Sequence, residues 1–126
     1  MNRTHFAKKV MEDHIIKKAK AFNVVHILEY QPGSIVIKSI LRKTTGNLSA
    51  FTFDSGEVLI GKISPFDTFL QIIEGNAEII IDDQSNLLEM GESIIVPAHS
   101  SNTIKAHQRF KMLSTVIKHG YEDIIL

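Results

Sequence analysis

The chain contains no cysteine and no tryptophan, and only three prolines among its 126 residues. Without cysteine there are no disulfides and no thiolate metal sites. Without tryptophan, aromatic stacking rests on seven Phe and two Tyr. Charge of one sign is also missing, since fourteen Lys and Arg balance fourteen Asp and Glu. No global field therefore gathers nucleic acid or anionic lipid, and neither is expected as a partner. No apolar run approaches the roughly 20 residues of a membrane-crossing helix, and no signal-peptide core is present, so the cytoplasm is the expected compartment. Nucleophile elbows, phosphate-cradling glycine loops and closely spaced histidine pairs are absent as well, which removes the local signatures of hydrolases, nucleotide binders and zinc peptidases.

What remains is ordinary globular material, 44% apolar and 22% charged, in a length that fits one domain with a buried core. From His5 to Phe22, the residues Met11, Ile15, Ala19 and Phe22 recur at three- and four-residue spacings with lysines between them. That is the period of an amphipathic helix. Thr4 stands at the N-cap place, although Ala7 holds the position where a capping box has its acidic residue. Six basic and two acidic residues lie in the first twenty. A solvated basic face accounts for them, because one short helix without a partner helix does not read a nucleic-acid groove.

After Tyr30 the pattern changes to short β-branched and aromatic runs between turn residues. Strands are expected over 35–41, 48–53, 58–63, 66–74, 77–81, 86–89, 93–96, 103–105 and 110–118. Glu74-Gly75-Asn76 and Asp82-Asp83-Gln84 read as hairpin turns. In the run from Leu48 to Phe53, Phe51 and Phe53 share one face while Leu48, Ala50 and Thr52 share the other, so both faces need cover. Many short strands so punctuated argue an antiparallel sandwich or barrel. The expected fold class is therefore all-β with one N-terminal α-helix. Residues 1–29 hold the helix and lead-in, 30–118 the barrel and 119–126 a tail of the same domain. The helix and the tail's Ile124, Ile125 and Leu126 offer elements for a homodimer.

Between Gly56 and Ala106 the punctuation is specific. Gly56, five residues, Lys62-Ile63-Ser64, three residues, Thr68, six residues and Gly75 form one group. Gly91, five residues, Pro97-Ala98-His99, then Asn102 and Ala106 form a second, with fifteen residues between Gly75 and Gly91. This spacing resembles the two motifs of the cupin superfamily, and the stretches around Pro65 to Ile81 and Gly91 to Ala98 look particularly like small single-domain bacterial cupins of the cupin_2 kind. The resemblance implies a double-stranded β-helix, or jelly-roll barrel, over roughly residues 30–118. In metal-binding cupins, two His and one Glu of the first motif and one His of the second converge on a divalent metal. The resemblance places Lys62, Ser64, Thr68 and Asn102 at those four positions.

A protonated lysine repels a cation, and hydroxyl and amide oxygens are weak ligands for first-row metals. Neither a metal nor another cofactor is therefore expected. One cation, two hydroxyls and one amide suit a small anionic or polyhydroxyl molecule instead. Lys62, Ser64, Thr68 and Asn102 are the ligand-binding candidates, with His99 beside them, and His107 flanks Asn102 on the other side. The competing reading is structural: Lys62 snorkels from the barrel mouth, and the others bond backbone at turns. Asp67, of opposite parity to Thr68, is expected to point away and cap a turn. Catalytic residues are unknown, and only Lys62, as a Schiff-base or general-base amine, is a nominee. Three functions stay open: a metal-free small-molecule binding protein, a cupin-type isomerase or dioxygenase-like enzyme with an atypical metal site, and a structural or interaction protein with a filled barrel.

Overall fold

The structure, a computed structural model, describes residues 8–12 and 16–118. Its strands are β1 (Lys8–Glu12), β2 (Ser34–Lys43), β3 (Gly46–Phe53), β4 (Val58–Gly61), β5 (Thr68–Glu74), β6 (Asn76–Ile81), β7 (Gln84–Glu89), β8 (Ser93–Val96), β9 (Asn102–Lys105) and β10 (Phe110–Ile117). Six of them form one sheet in the order β1-β2-β3-β10-β5-β8, and four form the other in the order β4-β9-β6-β7. Pairing is antiparallel throughout, except that β1 runs parallel to β2. The fold is the expected all-β jelly roll, and the strand period of two puts alternate side chains inside it. Ile35, Phe53, Ile72, Ile79, Phe110 and Met112 form its solvent-free centre, where the rings of Phe53 and Phe110 stack with centroids 4.5 Å apart.

The turns separate into two kinds. Asp82 and Asp83 have φ of 46° and 67° and join β6 to β7, the left-handed pair that a two-residue hairpin requires. Glu74-Gly75-Asn76, expected as a hairpin, is instead a corner at which the chain leaves the six-stranded sheet for the four-stranded one. Gly75 takes φ 76° there, and a Cβ at this position would stand 2.5 Å from the carbonyl oxygen of Arg109, so the corner requires glycine.

The N-terminal helix is a correction. Residues 5–7 and 13–15 of that segment lie outside the described residues, but 8–12 form β1, and no helix occurs over 16–22, where Ala19 has a left-handed φ of 61°. Helical periodicity in so short a segment yields little stability without a surface to pack on. Here β1 satisfies the otherwise open edge of β2. The outer sheet face that a helix would cover is taken by a later segment, with Ile27 and Leu28 packing on Val36, Ala50 and Leu113.

Side chains of β5 and β10 fasten that segment. Lys111, buried on the outer face, donates through Nζ to the carbonyl oxygens of Val25 at 2.5 Å and Leu28 at 2.9 Å. Its ammonium also lies 5.0 Å from the centre of the Tyr30 ring, on which Arg109 rests at 5.3 Å. The Tyr30 hydroxyl donates to Glu74 Oε2 at 2.5 Å, and burial, followed by this bond, raises the phenol's pKa well above its ordinary value. Arg109 in turn donates to Asp54, which also accepts the Gly33 amide.

Farther along the same face, Leu48, Thr115, Phe69 and Ile95 form a register row across four strands. No described residue is packed over its Phe69 and Ile95, which remain 41% and 59% exposed. Of the two elements offered for a dimer, the helix is thus replaced, and Ile124–Leu126 lie outside the described residues. Among the described residues no helix is long and apolar enough to cross a membrane.

Candidate functional site

At one end of the barrel the inward positions change character. Along β10 they run Phe110, Met112, Ser114, Val116, and the short side chain of Ser114 leaves space that Phe110 fills at the other end. The result is a cavity of about 230 Å³. Its walls are layered, as the period of two dictates. Met112 and Phe51 pair in the deepest layer, Leu70 and Ser114 pair in the next, and Thr68 pairs with Val96 and Val116 at the mouth, where Asn102 stands two residues along β9 from Ile104. Ser64 and the exposed Lys62, from the loop after β4, complete the polar layer at the mouth.

The structure therefore brings Lys62, Ser64, Thr68 and Asn102 together around one space. Ser64 has a structural duty as well, since its Oγ accepts the Phe66 amide at 3.1 Å. Among the described residues, Lys62, Thr68, Asn102 and Ser114 make no side-chain hydrogen bond. Asn102 pairs in register with Gly61, and its carboxamide lies where a Cβ on Gly61 would be. The bareness of that glycine lets the amide turn inward. Ser114 was not singled out by motif spacing. Its inward parity, two residues from Met112, is the signal that would have found it.

His99 is not brought to the cavity. Its side chain is exposed and its backbone has φ 67°, with its amide donating to the Ser64 carbonyl at 2.7 Å. The residue thus ties two mouth loops through main chain alone. His107 lies on the outer face of the four-stranded sheet, 2.7 Å from Glu78 Oε1. A hydrogen bond from Ser85 and then that from His107 hold the Glu78 carboxyl below its ordinary range. Asp67 caps a turn, as its parity requires, accepting the Ala98 amide at 2.8 Å. Lys62, being exposed, is not the desolvated amine that Schiff-base or general-base chemistry uses.

No family model matches the sequence, and no curated protein matches it. Solved structures do. A conserved protein of unknown function from Streptococcus pyogenes superposes with a TM-score of 0.78 at 23% identity, over 94% of this chain and 99% of its own. A cupin superfamily protein from Desulfitobacterium hafniense gives 0.78 at 24% identity, over 84% and 97%. A cupin 2 conserved barrel domain protein from Leptotrichia buccalis gives 0.74 at 28% identity, over 77% of this chain and 47% of that one. The fold is that of the cupin superfamily.

Within this cupin barrel a divalent metal, which likeness to the metal-binding members implies, does not fit the residues present. The four positions carry an ammonium, two hydroxyls and a carboxamide, and the fifth polar group, Ser114, is another hydroxyl. Among the described residues no three His, Asp or Glu side chains are grouped to hold an ion. The donor set suits hydrogen bonding to a ligand, with one positive charge at the mouth and no acidic side chain on the cavity wall.

Proposed function

We propose that the protein is a small-molecule binding protein whose barrel cavity takes a polar or anionic ligand without a metal. The observation that carries this reading is the set of cavity-facing groups on Thr68, Asn102, Ser114 and Lys62 that have no hydrogen-bond partner among the described residues. Polar side chains that face a cavity and not the protein bond water there, or a ligand that displaces it. A cavity of about 230 Å³ holds roughly seven or eight waters at liquid density, so the part of a ligand that enters it is far smaller than a nucleotide. The same space weighs against the filled-barrel alternative. The donor chemistry weighs against a cupin-type isomerase or dioxygenase with an atypical metal site.

Two measurements test this. Titration of a small-fragment library against isotopically labelled protein is expected to move the amide resonances of Thr68, Asn102 and Ser114 together, and a library that moves none of them removes the reading. Elemental analysis of the purified protein is expected to find no transition metal near one equivalent. Stoichiometric iron, manganese, nickel or zinc would favour the enzyme.

We also propose a homodimer, on a surface other than the one the sequence offered. The row Leu48, Thr115, Phe69 and Ile95 carries no charge and has no cover among the described residues, whereas the other end of the same face lies under Ile27 and Leu28. Such a surface favours a partner. Sedimentation at micromolar concentration is expected to give a dimer for the parent chain and a monomer for a Phe69→Lys, Ile95→Lys variant. A monomeric parent discards the proposal.

A further inference from the structure

Resting on the small-molecule reading, we propose that the ligand is a monocarboxylate with an apolar body, entering body first, with its carboxylate held at the mouth by Lys62 and Asn102. The layering of the cavity carries this. Four of the five polar groups on the wall stand at the mouth, Thr68 above Leu70 and Asn102 above Ile104 with Lys62 and Ser64 on the adjoining loop, while Ser114 alone lies one layer deeper, level with Leu70 and above Met112. A polyol filling this space would meet Phe51, Leu70, Ile104 and Met112 with only the Ser114 hydroxyl to partner its inner hydroxyls, at a cost that disfavours it. An apolar body meets that floor with Ser114 as the one polar group beside it.

The charge at the mouth fixes the other end. Lys62 supplies one positive charge, and no acidic side chain lines the cavity. A single anionic group is matched by it, while a dianionic phosphate would keep one charge unpaired in a half-enclosed site. The Asn102 carboxamide provides an N–H donor to the second carboxylate oxygen. Gly61 is its positioning residue, because any side chain there would occupy the place of the amide.

The test uses straight-chain carboxylates from butanoate to octanoate, with the matching primary alcohols and the polyols glycerol and erythritol, titrated calorimetrically into the full chain. The carboxylates are expected to tighten by about fourfold per methylene until the cavity is filled. Lys62→Met is expected to weaken the carboxylates by about tenfold to a hundredfold and to leave the alcohols unchanged. Since Lys62 is exposed, this variant keeps the fold, which circular dichroism verifies. Gly61→Ala is expected to weaken the carboxylates as much as Asn102→Ala does, and the two changes together no more than either alone. Carboxylates that bind equally well to Lys62→Met, or alcohols and polyols that bind while carboxylates do not, overturn the monocarboxylate assignment and keep the cavity as a small-molecule site. If no carboxylate, alcohol or polyol binds, the assignment and the binding reading both fall.

Discussion

The two ends of the barrel are built on the same strands with the same inward parity, yet they hold opposite contents. At one end Phe53 and Phe110 stack with Ile35, Ile72 and Ile79 around them, all free of solvent. At the other, Thr68, Asn102 and Ser114 leave a cavity. β10 passes from one to the other in four residues, from Phe110 to Ser114. The difference shows a division of labour along each strand: the plugged end supplies packing, which leaves the open end free to carry polar groups that have no hydrogen-bond partner among the described residues. Phe110→Ala tests the plugged end most severely. A loss of about 3–5 kcal/mol is expected for truncating a fully buried phenylalanine, read from urea unfolding. A loss below about 1 kcal/mol would mean that stability is not concentrated there.

The plugged end is also fastened from outside, through Lys111 to the carbonyls of Val25 and Leu28. Lys111→Met keeps the apolar stem and removes two charge-assisted bonds, so the two carbonyls lose their donor. The expected loss is about 2–4 kcal/mol, from roughly 1.5–3 kcal/mol per charged hydrogen bond with partial rescue by water. Faster proteolysis within residues 16–30 should accompany it. A variant as stable as the parent would show that Ile27, Leu28 and the contacts of Tyr30 hold the segment without Lys111.

The open end should respond in the opposite sense. Ser114→Leu places a large apolar side chain in the cavity, and its effect on stability is expected to lie between neutral and about 1 kcal/mol stabilising, as for filled cavities generally. Binding of the probe carboxylates should disappear. If Ser114→Leu instead destabilised the fold by about 2 kcal/mol or more, the space beside Ser114 would be too constrained to accept a ligand.

Much of this contrast was legible in the sequence, and the part that was not has physical causes. The glycine and proline spacing from Gly56 to Ala106 marked the barrel, because turn conformations constrain residue type directly. Lys62, Ser64, Thr68 and Asn102 were found by the same spacing and do line one cavity. Ser114 escaped because a serine on a strand has no local signature, and only its parity relative to Phe110 and Met112 reveals it. His99, a ligand candidate weighed against a surface-loop histidine, is exposed on a left-handed turn residue, and motif spacing alone does not decide which way such a side chain faces. The N-terminal helix failed for a non-local reason: the open edge of β2 offers β1 a row of backbone partners that no window of sequence contains. Gly75 signalled a turn correctly, but whether a turn closes a hairpin or crosses between sheets depends on distant pairing, here β5 with β10 and β8 in one sheet and β6 with β7 and β9 in the other.

The smallest effect separates the two ends by their titration. Asp54, beside the plugged end, is held below its ordinary value of 3.8, first by the hydrogen bond from Arg109 and then by that from the Gly33 amide. A carboxyl with a depressed folded-state pKa contributes stability that is present above its ordinary value and is lost as pH falls through the lowered one. The cavity wall has no carboxyl at all. Acid is therefore expected to loosen the plugged end through Asp54. Urea midpoints of the parent should fall as pH drops below about 4, and those of Asp54→Asn should start lower at neutral pH and fall less. Glu78 is also depressed, so Glu78→Gln serves as the control from the outer face of the other sheet. Equal acid slopes for the parent and Asp54→Asn would assign the acid sensitivity to the carboxyls of the four-stranded sheet. A steeper fall in Asp54→Asn would contradict the bond to Arg109 as the source of the depressed pKa, since removing a low-pKa acid can only flatten that limb.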